Sequence, residues 1–171
     1  LYDDKDMRSK QLEDLTAKLM SQSENLRKQK EITEGIINTT PTAITMVNEL
    51  GQLTFANTNA LNLFKLTKNE ITHRTFDSEK WEITDLDGSD FPSERLPFNR
   101  IRKTFESVHN IQHGLRTGEG FKILVSISGA PLFDSQGSFV GAVFSIQDIT
   151  AIHQMQISLE EYETQEKLSS E

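Results

Sequence analysis

Glycine and proline, the residues least compatible with the interior of a helix, are confined to the central part of this chain. The nine glycines and four prolines of the 171 residues all lie between Gly35 and Gly141. The flanking segments lack both and are crowded with Lys, Glu, Gln, Leu and Met. We therefore predict three parts: an N-terminal helix at 1–38, a turn-rich domain at 39–150 and a second helix at 151–171.

The N-terminal segment predicts one long helix that ends before Pro41, because proline cannot continue the backbone hydrogen-bond ladder. Its leucines fall on the a and d positions of a heptad, and polar residues fill the other core positions. This seam favours a modest two-stranded coiled coil or a helix docked partly on a domain, and a single solvated helix is the alternative. The seam positions are Leu12, Leu15, Leu19, Gln22, Leu26, Gln29 and Thr33.

The central segment has the alternation and the turn residues of a sheet. A hairpin is predicted from strands at 43–47 and 52–56, joined by a turn at 48–51. Short helices follow at 59–64 and from Thr67, where Glu70 completes a capping box. An irregular loop at 81–97 leads to a helix at 97–107, with Phe98, Ile101 and Phe105 on one face.

Three further strands complete the predicted domain. Ile111, His113 and Leu115 share a face of the first strand, and the third, at 139–146, is apolar on both faces, as in a central strand. In the second, Phe121, Ile123, Val125 and Ile127 alternate with Lys122, Ser126 and Ser128. The order predicts an α+β fold with an antiparallel sheet, flanked by long N-terminal and C-terminal helices.

The passage from this domain to the second helix is short. Asp148-Ile149-Thr150 precedes it, and either Asp148 or Thr150 is a suitable N-cap. A second heptad seam then runs through Ile152, Met155, Leu159 and Tyr162 and fades at Glu166.

Several motifs in this order resemble the PAS family of sensor domains. The hairpin from Val47 to Asn57, followed by Asn59-Ala60-Leu61, is similar to the family's opening, with Asn48 where Asp is usual. Trp81 to Pro97, Gly129 to Asp134, and Val140 to Phe144 resemble later parts, and Asp148-Ile149-Thr150 resembles the family's exit motif. The resemblance covers about 32–150 and implies a five-stranded antiparallel sheet cupping a small pocket under short helices.

Net charge and composition exclude several classes of function. With a net charge of −8, the chain repels phosphate backbones and anionic lipids, so we expect neither nucleic-acid binding nor direct membrane contact. No apolar run is long enough to span a bilayer and no signal peptide is evident, so we expect a cytoplasmic protein. Because the segment begins at Leu1, we interpret it as a piece of a longer protein whose covalently linked effector domain lies outside it.

An apolar set on the predicted sheet and helices is the candidate pocket lining. These residues could frame a cavity for a small, mostly apolar ligand, and a filled core is the alternative. His113 either faces that pocket or only satisfies a hydrogen bond. The set comprises Phe55, Phe64, Trp81, Phe98, Ile101, His113, Val125, Ile127, Phe144 and Ile146.

The identity of any cofactor stays open, although some chemistry is excluded. Cysteine is absent, so a cysteinyl-flavin photoadduct cannot form, whereas non-covalent flavin has no positive support. In some members of the family that this chain resembles, a histidine on the helix before the third strand binds haem. The corresponding helix here has no histidine, and His109 falls just past its end, so the resemblance disfavours haem. His153 lacks the neighbours of a kinase phosphoacceptor and is interpreted as a surface residue.

Metal binding and catalysis are also disfavoured. Asp85, Asp87 and Asp90 lack the later glutamate of a calcium-binding loop, so a turn-rich surface loop is favoured and no metal is predicted. We find no nucleophile motif, paired carboxylates or phosphate-binding loop, and predict no catalytic residue.

The resemblance implies a sensory or regulatory module of a signal-transduction protein, such as a histidine kinase or a cyclic-dinucleotide enzyme. The module would bind a small ligand or relay a partner's signal through Asp148, Ile149 and Thr150 to the exit helix. The flanking helices would pair in a homodimer. The alternative is a ligand-free dimerisation and spacing module.

Overall fold

The computed structural model describes residues 2–170 in two compact units, one formed by the first helix and the other by the remaining elements. Leu1 and Glu171, the outermost residues of the two predicted terminal segments, lie outside the described residues. In chain order the helices and strands are α1 (Tyr2–Thr39), β1 (Ala43–Asn48), β2 (Leu53–Ala56), α2 (Thr58–Phe64), α3 (Lys68–Thr72), α4 (Pro97–Thr104), β3 (Val108–Arg116), β4 (Lys122–Phe133), β5 (Phe139–Asp148) and α5 (Thr150–Ser169).

The five strands form one antiparallel sheet in the order β2-β1-β5-β4-β3. This confirms the α+β fold class, with short helices between β2 and β3 and long helices at both ends. β5 lies in the middle of the sheet, which explains why both of its faces are apolar in sequence. The segment between α3 and α4 contains two 3₁₀ turns, Glu79–Trp81 and Ser93–Arg95, within an otherwise irregular loop.

The side chains of the first helix are exposed at nearly every described position, and Ile37 is half-buried. The seam leucines at Leu12, Leu15, Leu19 and Leu26 are all exposed in the single chain. Arg27 forms ion pairs of 2.6 Å with both Glu24 and Glu31, and such exposed pairs contribute little to stability. Burial of the seam by a second chain therefore stays a prediction.

Asn57 fixes the way in which α2 leaves the hairpin. Its side chain is fully buried, and Oδ1 accepts hydrogen bonds from the backbone N–H groups of Ala60 and Ile44 at 2.9 and 3.0 Å. Its Nδ2 donates to the carbonyl oxygen of Thr42 at 2.9 Å. One asparagine thus caps α2 and joins it to the start of β1. The predicted Thr67–Glu70 capping box is also present, at the start of α3.

Two details of the strand and helix predictions were wrong. α4 ends at Thr104, and Phe105 adopts a left-handed conformation with φ of 56°, so its ring lies outside the buried face formed by Phe98 and Ile101. Phe121 precedes β4 and is exposed. Ser126 lies on the face of β4 opposite Val125 and Ile127, as predicted, and it is buried there.

Candidate functional site

A small cavity lies between the sheet and the helices and loop that cover it. Its volume is about 80 Å³, and its walls are apolar apart from Thr45 and His113. A cavity of roughly 150 Å³ holds one benzene molecule. In this conformation the space therefore suits a very small guest and is too small for a flavin or a haem.

Seven residues of the predicted pocket set line this cavity. Phe64 and Trp81 come from α2 and the first 3₁₀ turn, and their rings lie 5.1 Å apart. The Trp81 indole N–H donates to the carbonyl oxygen of Thr75 at 2.9 Å, which holds the ring against the cavity. The seven are Phe64, Trp81, Phe98, His113, Ile127, Phe144 and Ile146.

The structure places the other three predicted residues elsewhere. Phe55 pairs with Met46 on the opposite face of the sheet, because a bulge near Val47 changes the register of the hairpin. Ile101 and Val125 are fully buried but do not reach the cavity. Burial alone therefore did not identify which core residues surround the empty space.

The prediction omitted several residues that line the cavity. β1 contributes Thr45 and Val47, whose alternation with half-buried neighbours marks the inner face of that strand. The even spacing of Ala43, Thr45 and Val47 could have revealed this face. The other omitted residues are Leu53, Phe76, Ile83, Leu96, Pro97 and Leu115.

His113 is the ionisable residue in the cavity wall. Its side chain is 3% exposed, and Nδ1 lies 3.1 Å from the carbonyl oxygen of Gly114, to which it donates. Burial lowers the pKa of His113, and the Gly114 hydrogen bond and the carboxylate of Asp85 only partly oppose that effect. At neutral pH the folded protein therefore favours the neutral imidazole of His113.

The remaining histidines and the acidic loop lie away from the cavity. His73 and His109 are exposed, and His153 is half-buried near the start of α5. In the loop, Asp85 pairs with Arg95 at 3.4 Å, and Asp87 accepts hydrogen bonds from Ser89. Within residues 2–170, no three side chains are grouped as a metal site requires.

The junction between β5 and α5 is bonded to the backbone of β4 at one residue. Leu124 accepts a hydrogen bond from the Ile149 N–H at 2.9 Å and donates its own N–H to Thr150 Oγ1 at 3.0 Å. Asp148 Oδ1 accepts from the N–H of Thr150 at 2.9 Å and from its hydroxyl at 2.6 Å. Asp148 thereby orients the hydroxyl that holds Leu124.

This geometry corrects the predicted cap. Ile149, rather than Asp148 or Thr150, occupies the N-cap position, and its carbonyl accepts the first intrahelical hydrogen bond, from His153. Asp148 forms no ion pair with any described residue.

The cavity and the junction are connected through neighbouring strands. His113 on β3 pairs with Val125 on β4, and Val125 pairs with Asp148 on β5. The adjacent row joins Gly114 to Leu124, the residue that the junction binds. The strand pairing thus links a residue of the cavity wall to the residues that hold the first turn of α5.

A family model described as "PAS domain" matches residues 41–151, well over half of the chain. This chain belongs to the PAS domain family. The match begins just before β1 and ends at the first turn of α5, so it includes both the cavity and the junction.

Solved PAS structures share this fold at low sequence identity. The PAS domain of a protein from Colwellia psychrerythraea is 14% identical, with a TM-score of 0.58, and the match covers 74% of this chain and 98% of that one. The PAS domain of a two-component sensor histidine kinase is 14% identical, with a TM-score of 0.54 and coverages of 71% and 97%. That of the nitrogen regulation protein NR(II) from Vibrio parahaemolyticus is also 14% identical, with a TM-score of 0.54 and coverages of 68% and 97%.

No curated protein matches the sequence of this PAS chain. None of the helices within residues 2–170 combines the length and the apolar character needed to cross a membrane.

Proposed function

We propose that this PAS domain is the sensory or regulatory module of a signal-transduction protein. A small ligand or a contacting partner alters the packing around the cavity, and the Asp148-Ile149-Thr150 junction passes that change to α5. The module itself carries no catalysis, and its output is the conformation of the exit helix. A histidine kinase or a cyclic-dinucleotide enzyme is the expected parent protein.

The double attachment of the junction to Leu124 carries this proposal. Both backbone groups of Leu124 are engaged by the two residues that begin α5, and Leu124 lies one position from Val125 in the row that reaches His113. Because two hydrogen bonds act on one residue, β4 and the start of α5 move together unless a bond breaks. The junction therefore couples the sheet to the helix.

The exit helix has the composition of an element that acts with a second copy. None of its side chains is buried, and the apolar positions Ile152, Met155, Leu159 and Tyr162 are exposed. In a homodimer, the α5 seam would pair with its copy, and the α1 seam would do the same. Such paired helices can adopt two alternative packings, and an input at the cavity would shift the equilibrium between them.

The test is an Asp148→Ala substitution followed by amide hydrogen exchange. The substitution removes the acceptor that holds the N–H and the hydroxyl of Thr150. A hydrogen bond contributes about 0.5–1.5 kcal/mol, which corresponds to roughly 2- to 13-fold faster exchange in the first turn of α5. Asp134→Ala is the matched control, because Asp134 Oδ1 accepts two backbone N–H groups at 2.9 Å in the β4–β5 hairpin turn. We expect Asp134→Ala to leave exchange in α5 unchanged.

The proposal fails if Asp148→Ala leaves exchange in α5 unchanged, or if Asp134→Ala accelerates it equally. In the parent protein, Asp148→Ala should abolish the response of the output to its input while the domain stays folded. Normal regulation in that variant would contradict the relay.

The small cavity favours a second candidate function, a ligand-free dimerisation and spacing module. At about 80 Å³ the space is roughly half of the ~150 Å³ that holds one benzene molecule. Denaturing mass spectrometry and an absorbance spectrum of the purified protein distinguish the two candidates. A stoichiometric small molecule supports sensing, whereas a stable dimer with no guest and no response to Asp148→Ala supports spacing.

A further inference from the structure

The two polar side chains in the cavity wall each have one polar atom without a hydrogen-bond partner. Thr45 and His113 are both 3% exposed, and both line the cavity between the sheet and the elements that cover it. Among the described residues, neither Thr45 Oγ1 nor His113 Nε2 has a hydrogen-bond partner. A buried polar atom without a partner costs free energy, so a guest that bonds to it is favoured.

Both atoms face the empty space of the cavity. The described side-chain atoms that have neither a partner nor any accessible surface are Arg74 Nη1 and Thr84 Oγ1. Thr45 Oγ1 and His113 Nε2 are not among them, so each keeps some accessible surface although its residue is almost fully buried. Because both residues line the cavity, that surface belongs to the cavity wall.

The hydrogen bond at Nδ1 determines which kind of group His113 can bind. Nδ1 lies 3.1 Å from the carbonyl oxygen of Gly114, and a carbonyl oxygen only accepts, so Nδ1 carries the proton. In the neutral imidazole, Nε2 is then an acceptor. A guest at His113 must therefore donate an O–H or an N–H, whereas the Thr45 hydroxyl can either donate or accept.

The cavity wall has no charged side chain that would pair with a charged guest. Lys, Arg, Asp and Glu are absent from the described residues that line it. Asp85 acts on His113 from outside the cavity, and Arg74 lies 4.4 Å from the centre of the Trp81 ring without lining the cavity. Because an unpaired charge is costly to bury, an uncharged guest is favoured.

The volume of the cavity limits the length of the guest. About 80 Å³ is roughly half of the ~150 Å³ that holds one benzene molecule, so the guest has about three or four non-hydrogen atoms. The remaining walls are apolar and include Phe64, Ile127 and Ile146. Such walls favour hydrocarbon in the part of the guest that makes no hydrogen bond.

We propose that the cavity binds a short, uncharged aliphatic alcohol, whose hydroxyl group bonds to one or both of the unpartnered atoms of His113 and Thr45. This inference rests on the proposed sensory function and names the class of ligand that the cavity accepts. The hydroxyl group supplies the donor that His113 Nε2 requires, and the hydrocarbon chain fills the apolar remainder. Water is the alternative occupant, because it also bonds to both atoms.

The test titrates the full chain with n-propanol and follows the methyl resonances of Ile127 and Ile146 by NMR. Because affinity per atom is limited, a guest of about four non-hydrogen atoms reaches a Kd of roughly 40 µM at best, and we expect saturation in the millimolar range. Acetone, which has no O–H to donate, should bind at least ~3-fold more weakly. Propionate, which is charged, should bind at least ~10-fold more weakly.

Thr45→Val replaces the unpartnered hydroxyl with a methyl group of nearly the same shape. It should leave the urea midpoint of unfolding unchanged or raise it, because no hydrogen bond within the chain is lost. At least one of Thr45→Val and His113→Leu should weaken the binding of n-propanol roughly 2- to 13-fold, as expected for the loss of one hydrogen bond. Thr54→Val is the matched control, because Thr54 is an exposed threonine on β2 that does not line the cavity. It should leave the affinity unchanged.

Several results would overturn the proposal. The absence of a saturable shift with n-propanol at up to ~100 mM, far above the expected range, would assign the cavity to water. Acetone that binds as tightly as n-propanol would show that no donor is required. Unchanged affinity in both Thr45→Val and His113→Leu, or an equal loss in Thr54→Val, would show that these two atoms do not hold the guest.

The outcome for the ligand is distinguishable from the outcome for the relay at Asp148. If n-propanol does not bind but Asp148→Ala accelerates exchange in α5, the ligand class is wrong and the proposed function stands. If n-propanol binds with the expected selectivity but Asp148→Ala leaves exchange in α5 unchanged, the ligand class stands and the relay is wrong.

Discussion

Gly129 lies directly beneath a ring of the cavity wall, so adding one methyl group should displace that ring. Gly129 pairs with Phe144 across β4 and β5. A Cβ atom at Gly129 would lie 2.4 Å from Phe144 Cδ1 and 2.6 Å from Cε1, and 3.1 Å from the carbonyl oxygen of Val143. Since carbon atoms pack at about 3.5–4.0 Å, the ring must retreat by roughly 1 Å.

The direction of that retreat leads into the cavity that Phe144 lines. Overpacking of this size costs about 1–3 kcal/mol. We therefore predict that Gly129→Ala lowers the free energy of unfolding by about 2 kcal/mol, or about 1 M in the urea midpoint for an m-value near 2 kcal/mol/M. The methyl resonances of Ile127 and Ile146, which also line the cavity, should shift.

A double-mutant cycle separates ring displacement from general strain in β4. Phe144→Leu shortens the side chain that the new methyl group meets, so Gly129→Ala should cost at least ~1 kcal/mol less in that background, as expected for residues in contact. Additive effects of the two substitutions, or no loss of stability on Gly129→Ala alone, would refute the reasoning about this cavity wall.

Two further predictions concern buried polar groups. Because burial lowers the pKa of His113, the unfolded chain binds more protons below about pH 6.5, and the free energy of unfolding should fall as the pH decreases from about 6.5 towards the folded-state pKa. Urea unfolding between pH 8 and 5 should show this loss, and His113→Leu should reduce its slope; an unchanged slope would contradict it. Asn57→Ala should lower the free energy of unfolding by about 3 kcal/mol or more. The substitution removes the side chain that hydrogen-bonds to the Ile44 and Ala60 N–H groups and to the Thr42 carbonyl oxygen. A loss below ~1 kcal/mol in the same assay would show that water or backbone movement compensates.

The strands and helix starts could be predicted because local chemistry determines them. The Thr67–Glu70 capping box and the turn at Asp134 are short-range patterns, and both are present. The end of α4 could not be predicted, because Phe105 adopts a conformation that sequence reasoning assigns to glycine.

The cavity was harder to predict than the core, because hydrophobicity reports burial and not the shape of the remaining space. Val125 and Ile101 are as buried as any residue but lie away from the cavity. Phe55 was assigned to the wrong face, since a bulge in the hairpin shifts the register by one residue. Thr45 was missed because the predicted set was chosen mainly by hydrophobicity, and threonine is polar although it lies on the inner face of β1.

The first and last strands of the chain, β1 and β5, are neighbours in the sheet, and Ala43 on β1 pairs with Ile146 on β5. The chain thus enters and leaves the sheet at neighbouring positions, about one strand spacing of ~5 Å apart. A domain with adjacent ends can be inserted into a host chain, or removed from one, with little strain on the host backbone. A short glycine-containing loop should therefore be able to replace 43–146 and join the segments on either side of the sheet. Comparison of that shortened chain with the full chain would measure what the sheet contributes to the behaviour of the two flanking helices.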